Sequence, residues 1–113
     1  MSSLYTKFMD KTLTKQHIIE WLKKQGLIRY LLEKEVLTEE QLEHIATCLH
    51  HIYRWYWENL PIGHFLTAVL ENNFVEASLR ADRTNQIVLP IYAVFLYNAV
   101  PMDYRTKLCM IKH

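Results

Sequence analysis

Two glycines and three prolines are all the punctuation in this chain of 113 residues. An all-β domain needs turn residues about every 8–12 positions, and so few breakers cannot supply them. The same scarcity favours helices, whose interiors exclude both residue types. Half of the residues are hydrophobic and 22% are charged, enough apolar surface for one packed core in a chain of one-domain length. The expected architecture is all-α: a compact single-domain bundle of about five helices over residues 1–113. No linker, repeat or low-complexity stretch divides it.

Local signals place the helices. Residues 1–13 are a polar lead whose scattered apolar residues permit a short helix. Thr14 holds an N-cap position before Ile18, Ile19 and Leu22. Gly26 is expected to end or bend that helix, since glycine tolerates the left-handed conformation after a helix C-terminus; a short helix then covers 27–35. The strongest start signal is Thr38-Glu39-Glu40-Gln41. It is a capping box: the Thr38 hydroxyl accepts from the Gln41 amide, and the Gln41 side chain returns to the Thr38 amide. Leu42, Ile45, Leu49, Ile52 and Tyr56 carry the helical period to Glu58, and Pro61 breaks it. Two further helices fit 64–72 and 74–81, with Asn73 capping the second. Asp82 or Thr84 starts a last long helix reaching Asn98, in which Pro90 forces a kink or a fresh start. Pro101 closes it, and Leu108, Met110 and Ile111 are expected to dock the tail.

Thirteen Lys and Arg against twelve Asp and Glu leave a net charge of +1. Non-specific nucleic-acid binding draws on a strong positive excess, which is missing here. No apolar run reaches the roughly 18 residues that a membrane span requires, and the N-terminus lacks a signal-peptide core. Cys48 and Cys109 belong to no CxxC pair, so a reduced, cytoplasmic setting is expected.

Six histidines raise the question of metal or acid–base chemistry. His44 and His51 share a helix face two turns apart, while zinc pairs on a helix are usually three or four apart. A site would have to recruit Glu40 or Cys48. Cys48 lies one turn from both His44 and His51, a placement in which a thiol could be activated; simple burial of a free Cys is the plainer arrangement. No nucleophile elbow, Walker loop or dinucleotide fingerprint occurs. No enzyme and no cofactor is expected.

Two features point to binding. Tyr53, Trp55, Tyr56 and Trp57 stand nearly in succession, so on a helix they face several directions. Aromatics are enriched at interfaces, which makes these four candidates for a homo-oligomer contact; a large aromatic core with Tyr hydroxyls at its edge accounts for them equally. Arg80 and Arg83, three apart, would share a helix face and converge on one anion, unless Glu76 simply pairs with Arg80. Asn72, Asp82, Asn85, Tyr97 and Asn98 complete the candidate binding set, as helix-end partners or as site residues.

Residues 60–101 also carry a resemblance. Gly63, Phe65-Leu66-Thr67-Ala68-Val69-Leu70-Glu71-Asn72-Asn73, Ala77, Arg80-Ala81-Asp82, Asn85, Leu89-Pro90 and Phe95-Leu96-Tyr97-Asn98-Ala99-Val100-Pro101 resemble a family of small helical proteins encoded by tailed phages, prophages and bacterial mobile elements. Family members show Pro-Gly-Gly where this chain has Ile62-Gly63-His64, Asn-Asp in place of Asn72-Asn73, and a Trp-Gly-Ser tail that is missing here. Residues 1–58 read as N-terminal helices outside the resemblance. Together with the small size, the lack of a catalytic motif and the surplus aromatics, it favours a phage or mobile-element accessory protein of the bacterial cytoplasm that acts by binding, inhibiting a host (defence) protein or sequestering a small anionic, nucleotide-type signal. A nucleic-acid-binding regulator and a small metal-dependent hydrolase using His44 and His51 are the alternatives.

Overall fold

The structure, a computed structural model, describes residues 3–112, with side chains as far as Cys109. Nine helices follow one another in it: α1 Leu4–Met9, α2 Lys15–Lys23, α3 Gly26–Glu33, α4 Glu39–Glu58, α5 His64–Leu70, α6 Phe74–Arg80, α7 Arg83–Ile87, α8 Leu89–Ala99 and α9 Tyr104–Lys112. No strand occurs among the described residues. The expected bundle of about five is therefore divided more finely, because several turns that seemed continuous are separate short helices.

The starts are where side-chain capping places them. Thr14 and Thr38 each close a capping box, with His17 and Gln41 as the reciprocal acceptors. Asn73 caps α6 by accepting from the Glu76 amide at 3.1 Å. Asp82 caps α7, accepting from the Asn85 amide at 2.8 Å. Pro90 lies in the first turn of α8, where no intrahelical donor is lost, so the proline makes a fresh start and no kink. A Thr38→Ala change should cost about 1 kcal/mol, read as a lower urea midpoint. An unchanged midpoint would mean that the capping hydroxyl contributes nothing to α4.

The stops are less conventional. Gly26 does not end α2; it opens α3, and no glycine has a positive φ. The left-handed positions fall instead on Lys11, Glu35, Asn59 and Asn72. At Asn72 the Asn73 amide donates to the Ala68 carbonyl and the Asn72 amide to that of Val69. This paired closure is a Schellman motif with asparagine in the glycine position. Asn59 likewise ends α4 two residues before Pro61.

Packing follows from one apolar face per helix. In α8 the buried residues Ile91, Tyr92, Phe95, Leu96 and Ala99 fall on one side. α2 lies along α4, α1 on α8, α5 against α6, and α9 closes on α5. The short axis of 19 Å accommodates about two helix layers. Leu108 is buried as expected; the side chains of Met110 and Ile111 lie outside the described residues.

Candidate functional site

The aromatic run on α4 is absorbed by the chain itself. Tyr53, Trp55 and Tyr56 are buried and Trp57 is half-buried. Two layers make this possible. Phe8 of α1 takes Tyr53 and Tyr56 edge-on at 5.2 and 5.3 Å, and the Trp57 indole donates to the Phe8 carbonyl at 2.9 Å. On another side of the helix, Trp55 shares an apolar recess with Leu60, Pro61, Ile62 and Leu108. The Tyr56 hydroxyl donates to Asp103 at 2.7 Å, and burial, with that carboxylate beside it, pushes Tyr56 up to about 12. Of the two accounts of the run, the aromatic core accounts for Tyr53, Trp55 and Tyr56, while Trp57 keeps part of its surface exposed.

The arginine pair is also rearranged. α6 ends at Arg80, Ala81 is extended, and α7 begins anew at Arg83. The two arginines therefore do not share a helix face. The cap at Asp82 has broken the spacing on which their convergence rested. Arg80 holds Glu76 at 2.7 Å as an ordinary exposed i,i+4 pair, an arrangement worth only a few tenths of a kcal/mol, ~0.3–0.5. Arg83 is exposed and lines a different cavity, with Val36, Leu37, Gln41, Thr84 and Ile87.

Asp82 and Asn85 belong to a polar junction between α4, α7 and α8. Asp82 approaches His44 at 3.5 Å, and the Cys48 thiol lies 3.8 Å from that same imidazole nitrogen, Nε2. Asn85 is 4% exposed and accepts from the Tyr92 hydroxyl at 2.7 Å. Burial pushes the Cys48 thiol up, partly opposed by hydrogen bonding from Tyr92 and Asn85, and burial also holds Tyr92 well above its usual range. An activated thiol needs the opposite shift. A cysteine–histidine–acid relay also needs the thiol and the acid on different imidazole nitrogens, whereas both meet Nε2 here. His50 faces the Leu13 carbonyl at 3.2 Å, stacked on Tyr53, and His51 is held below its usual range by partial burial. No group of three His, Cys, Asp or Glu is placed to hold a metal ion among the described residues.

Two residues singled out in the sequence do meet. Asn72 and Tyr97 line one groove, of about 240 Å³, together with Phe74, Leu96, Met102 and Arg105. The turn after α5 supplies Asn72, the outer side of α8 supplies Tyr97, and the segment from Pro101 into α9 supplies Met102 and Arg105. Tyr97 is 86% exposed and Met102 75%, and the Arg105 guanidinium lies 6.0 Å over the Tyr104 ring. Asn98 is exposed on α8 outside this lining. Phe74, Met102 and Arg105 were not anticipated. Phe74 read as an ordinary core residue of its helix, and Met102 and Arg105 as an apolar residue and a cation just beyond Pro101, which mean nothing until that segment folds back to the groove. No protein-family model, curated protein or solved structure matches this chain.

Proposed function

We propose that this protein acts by binding, as a phage or mobile-element accessory protein that engages a protein of its bacterial host through the groove of Asn72, Phe74, Tyr97, Met102 and Arg105. The observation that carries the reading is the gathering of a nearly fully exposed tyrosine, an exposed methionine and an arginine around one concavity. Single exposed apolar residues are ordinary on any surface. Tyr, Met and Arg together are the types enriched where proteins meet and where alanine substitution costs most. The sequence resemblance over residues 60–101 supports the phage assignment, and it spans the turn and the helix that hold Asn72 and Tyr97. The partner surface that suits this groove carries an acidic side chain for Arg105 beside an apolar one for Tyr97 and Met102. A dimer through residues 53–57 forms no part of the reading, because Tyr53, Trp55 and Tyr56 are already buried within the chain.

The test is capture from host lysate by the immobilised wild-type chain and by a Tyr97→Ser/Arg105→Ala variant, with quantitative mass spectrometry of what is retained. A partner engaged here should be lost by more than about 30-fold, a change of about 2 kcal/mol or more. The thermal midpoint of the variant should stay within about 2 °C of the parent, since both side chains point outward. Equal retention by the two proteins would move the binding surface away from the groove.

A further inference from the structure

The cavity lined by Val36, Leu37, Gln41, Arg83, Thr84 and Ile87 lies on other elements than the groove, between the α3–α4 loop and α7, and encloses about 370 Å³. That volume lies in the range of small-molecule sites, roughly 300–1,000 Å³. We infer that it is a binding site for a small organic monocarboxylate bearing an apolar group, held by Arg83, Gln41 and Thr84 and in apolar contact with Val36, Leu37 and Ile87.

The polar side of the cavity consists of donors. The Gln41 side-chain oxygen is committed to the capping box, accepting from the Thr38 amide at 2.9 Å. Its NH2 group must therefore face away from that bond. The Arg83 guanidinium and the Thr84 hydroxyl make no hydrogen bond or ion pair among the described residues. The nearest carboxylate in sequence, Asp82, is occupied by the Asn85 amide and by His44. Three unspent donors around one space suit an oxyanion, and the planar fork of a guanidinium suits a carboxylate.

Charge and lining narrow the ligand further. Arg83 carries the one formal charge in the lining, so it balances a single negative charge. A phosphomonoester brings nearly two charges at neutral pH, and a nucleotide more, with no second cation in the lining to meet them. In the apolar lining Leu37 is buried, while Val36 and Ile87 are 50% and 36% exposed. Covering those two side chains removes apolar surface from water, which an acetate ion could not achieve and a longer acyl chain could.

The full-length chain, 15N-labelled, can be titrated separately with hexanoate, acetate, hexan-1-ol and hexyl phosphate while backbone amide shifts are followed. The expected result is saturable movement of the Val36, Arg83, Thr84 and Ile87 amides with hexanoate, and binding at least about tenfold weaker for acetate and for hexan-1-ol. Arg83→Gln should weaken hexanoate by a similar factor of about ten or more while the rest of the spectrum is retained. Should that variant fail to fold, Thr84→Val carries the same test, with an expected loss of several-fold. The inference is overturned if hexanoate gives no saturable shift at these amides, if acetate or hexan-1-ol binds as well, or if hexyl phosphate binds more tightly. Unchanged affinity in the folded variant overturns it too. None of these results bears on the groove at Tyr97, whose lining shares no residue with this cavity.

Discussion

Phe8→Ala should destabilise the domain by about 3–5 kcal/mol, the cost of emptying a fully enclosed aromatic position. The ring has no exposed surface and meets Tyr53, Tyr56 and Trp57 at centroid distances of 5.2, 5.3 and 6.4 Å. It is the side chain from α1 that turns the aromatic run of α4 into a core. Without it the three rings lose a shared neighbour, and α1, only six residues long, keeps little but Leu4 to hold it in place. A domain this size has about 5–15 kcal/mol in total, so the variant should melt at least 10 °C lower by the usual ~4–8 °C per kcal/mol. Met9→Ala on the exposed side of the same helix is the control, with a change within about 0.5 kcal/mol. Calorimetry of both variants decides the matter. A loss below about 1 kcal/mol for Phe8→Ala would mean that α1 is not docked in solution. The same variant bears on self-association: exposing Tyr53, Tyr56 and Trp57 should make it associate more strongly in sedimentation than the parent.

Helix starts were readable because their cause is local. A Thr, Asn or Asp side chain that accepts from an amide three residues ahead needs nothing from the rest of the chain, and Thr14, Thr38, Asn73 and Asp82 all do this. Pro61 also marked the stop of α4 at Glu58, but the left-handed positions were not readable, because the rule used for them assigns that conformation to glycine. Here Lys11, Glu35, Asn59 and Asn72 adopt it, and no intrinsic preference marks a lysine or a glutamate for that conformation. Holding a non-glycine residue there costs roughly 1–2 kcal/mol, so the strain has to be offset by the packing of the flanking helices. That packing is not visible in sequence.

The candidate site divides along the same line. Arg80 and Arg83 were paired by assuming one continuous helix, although the Asp82 cap between them argued for a break. Asn72 and Tyr97 do share a groove, yet their sequence separation hid the other half of it. Phe74 and Arg105 join only when α9 closes against the molecule. The cavity beside Arg83 depends on Val36, which stands outside every amphipathic stripe and so carried no signal. Local chemistry reaches the caps; only tertiary contact reaches the cavities.

Asn85 tests whether a polar residue that looked like part of a site belongs to the fold. Its backbone amide donates to Asp82, and its side-chain oxygen accepts from Tyr92 at 2.7 Å, with the Phe65 ring edge-on to Tyr92 at 5.2 Å. The bond, itself buried, ties α7 to α8, and no buried side-chain polar atom among the described residues lacks a partner. Asn85→Ala takes away the oxygen acceptor and leaves the enclosed Tyr92 hydroxyl with only the Cys48 sulfur, a weak acceptor, beside it. Desolvation of that poorly paired hydroxyl costs about 1–3 kcal/mol, and the vacated volume adds to it, so the expected loss is about 2–4 kcal/mol. Tyr92→Phe alone should cost less, about 1–2 kcal/mol, because the ring still fills its place and only the hydroxyl goes. In the double variant that hydroxyl no longer exists. Asn85→Ala should then cost about 1 kcal/mol less in the Tyr92→Phe background than in the parent, a coupling of the size seen for residues in direct contact. Urea unfolding of the four proteins closes the cycle. Additive costs would show that the two side chains do not meet in solution, and a near-zero cost for Asn85→Ala would return that residue to the list of binding candidates.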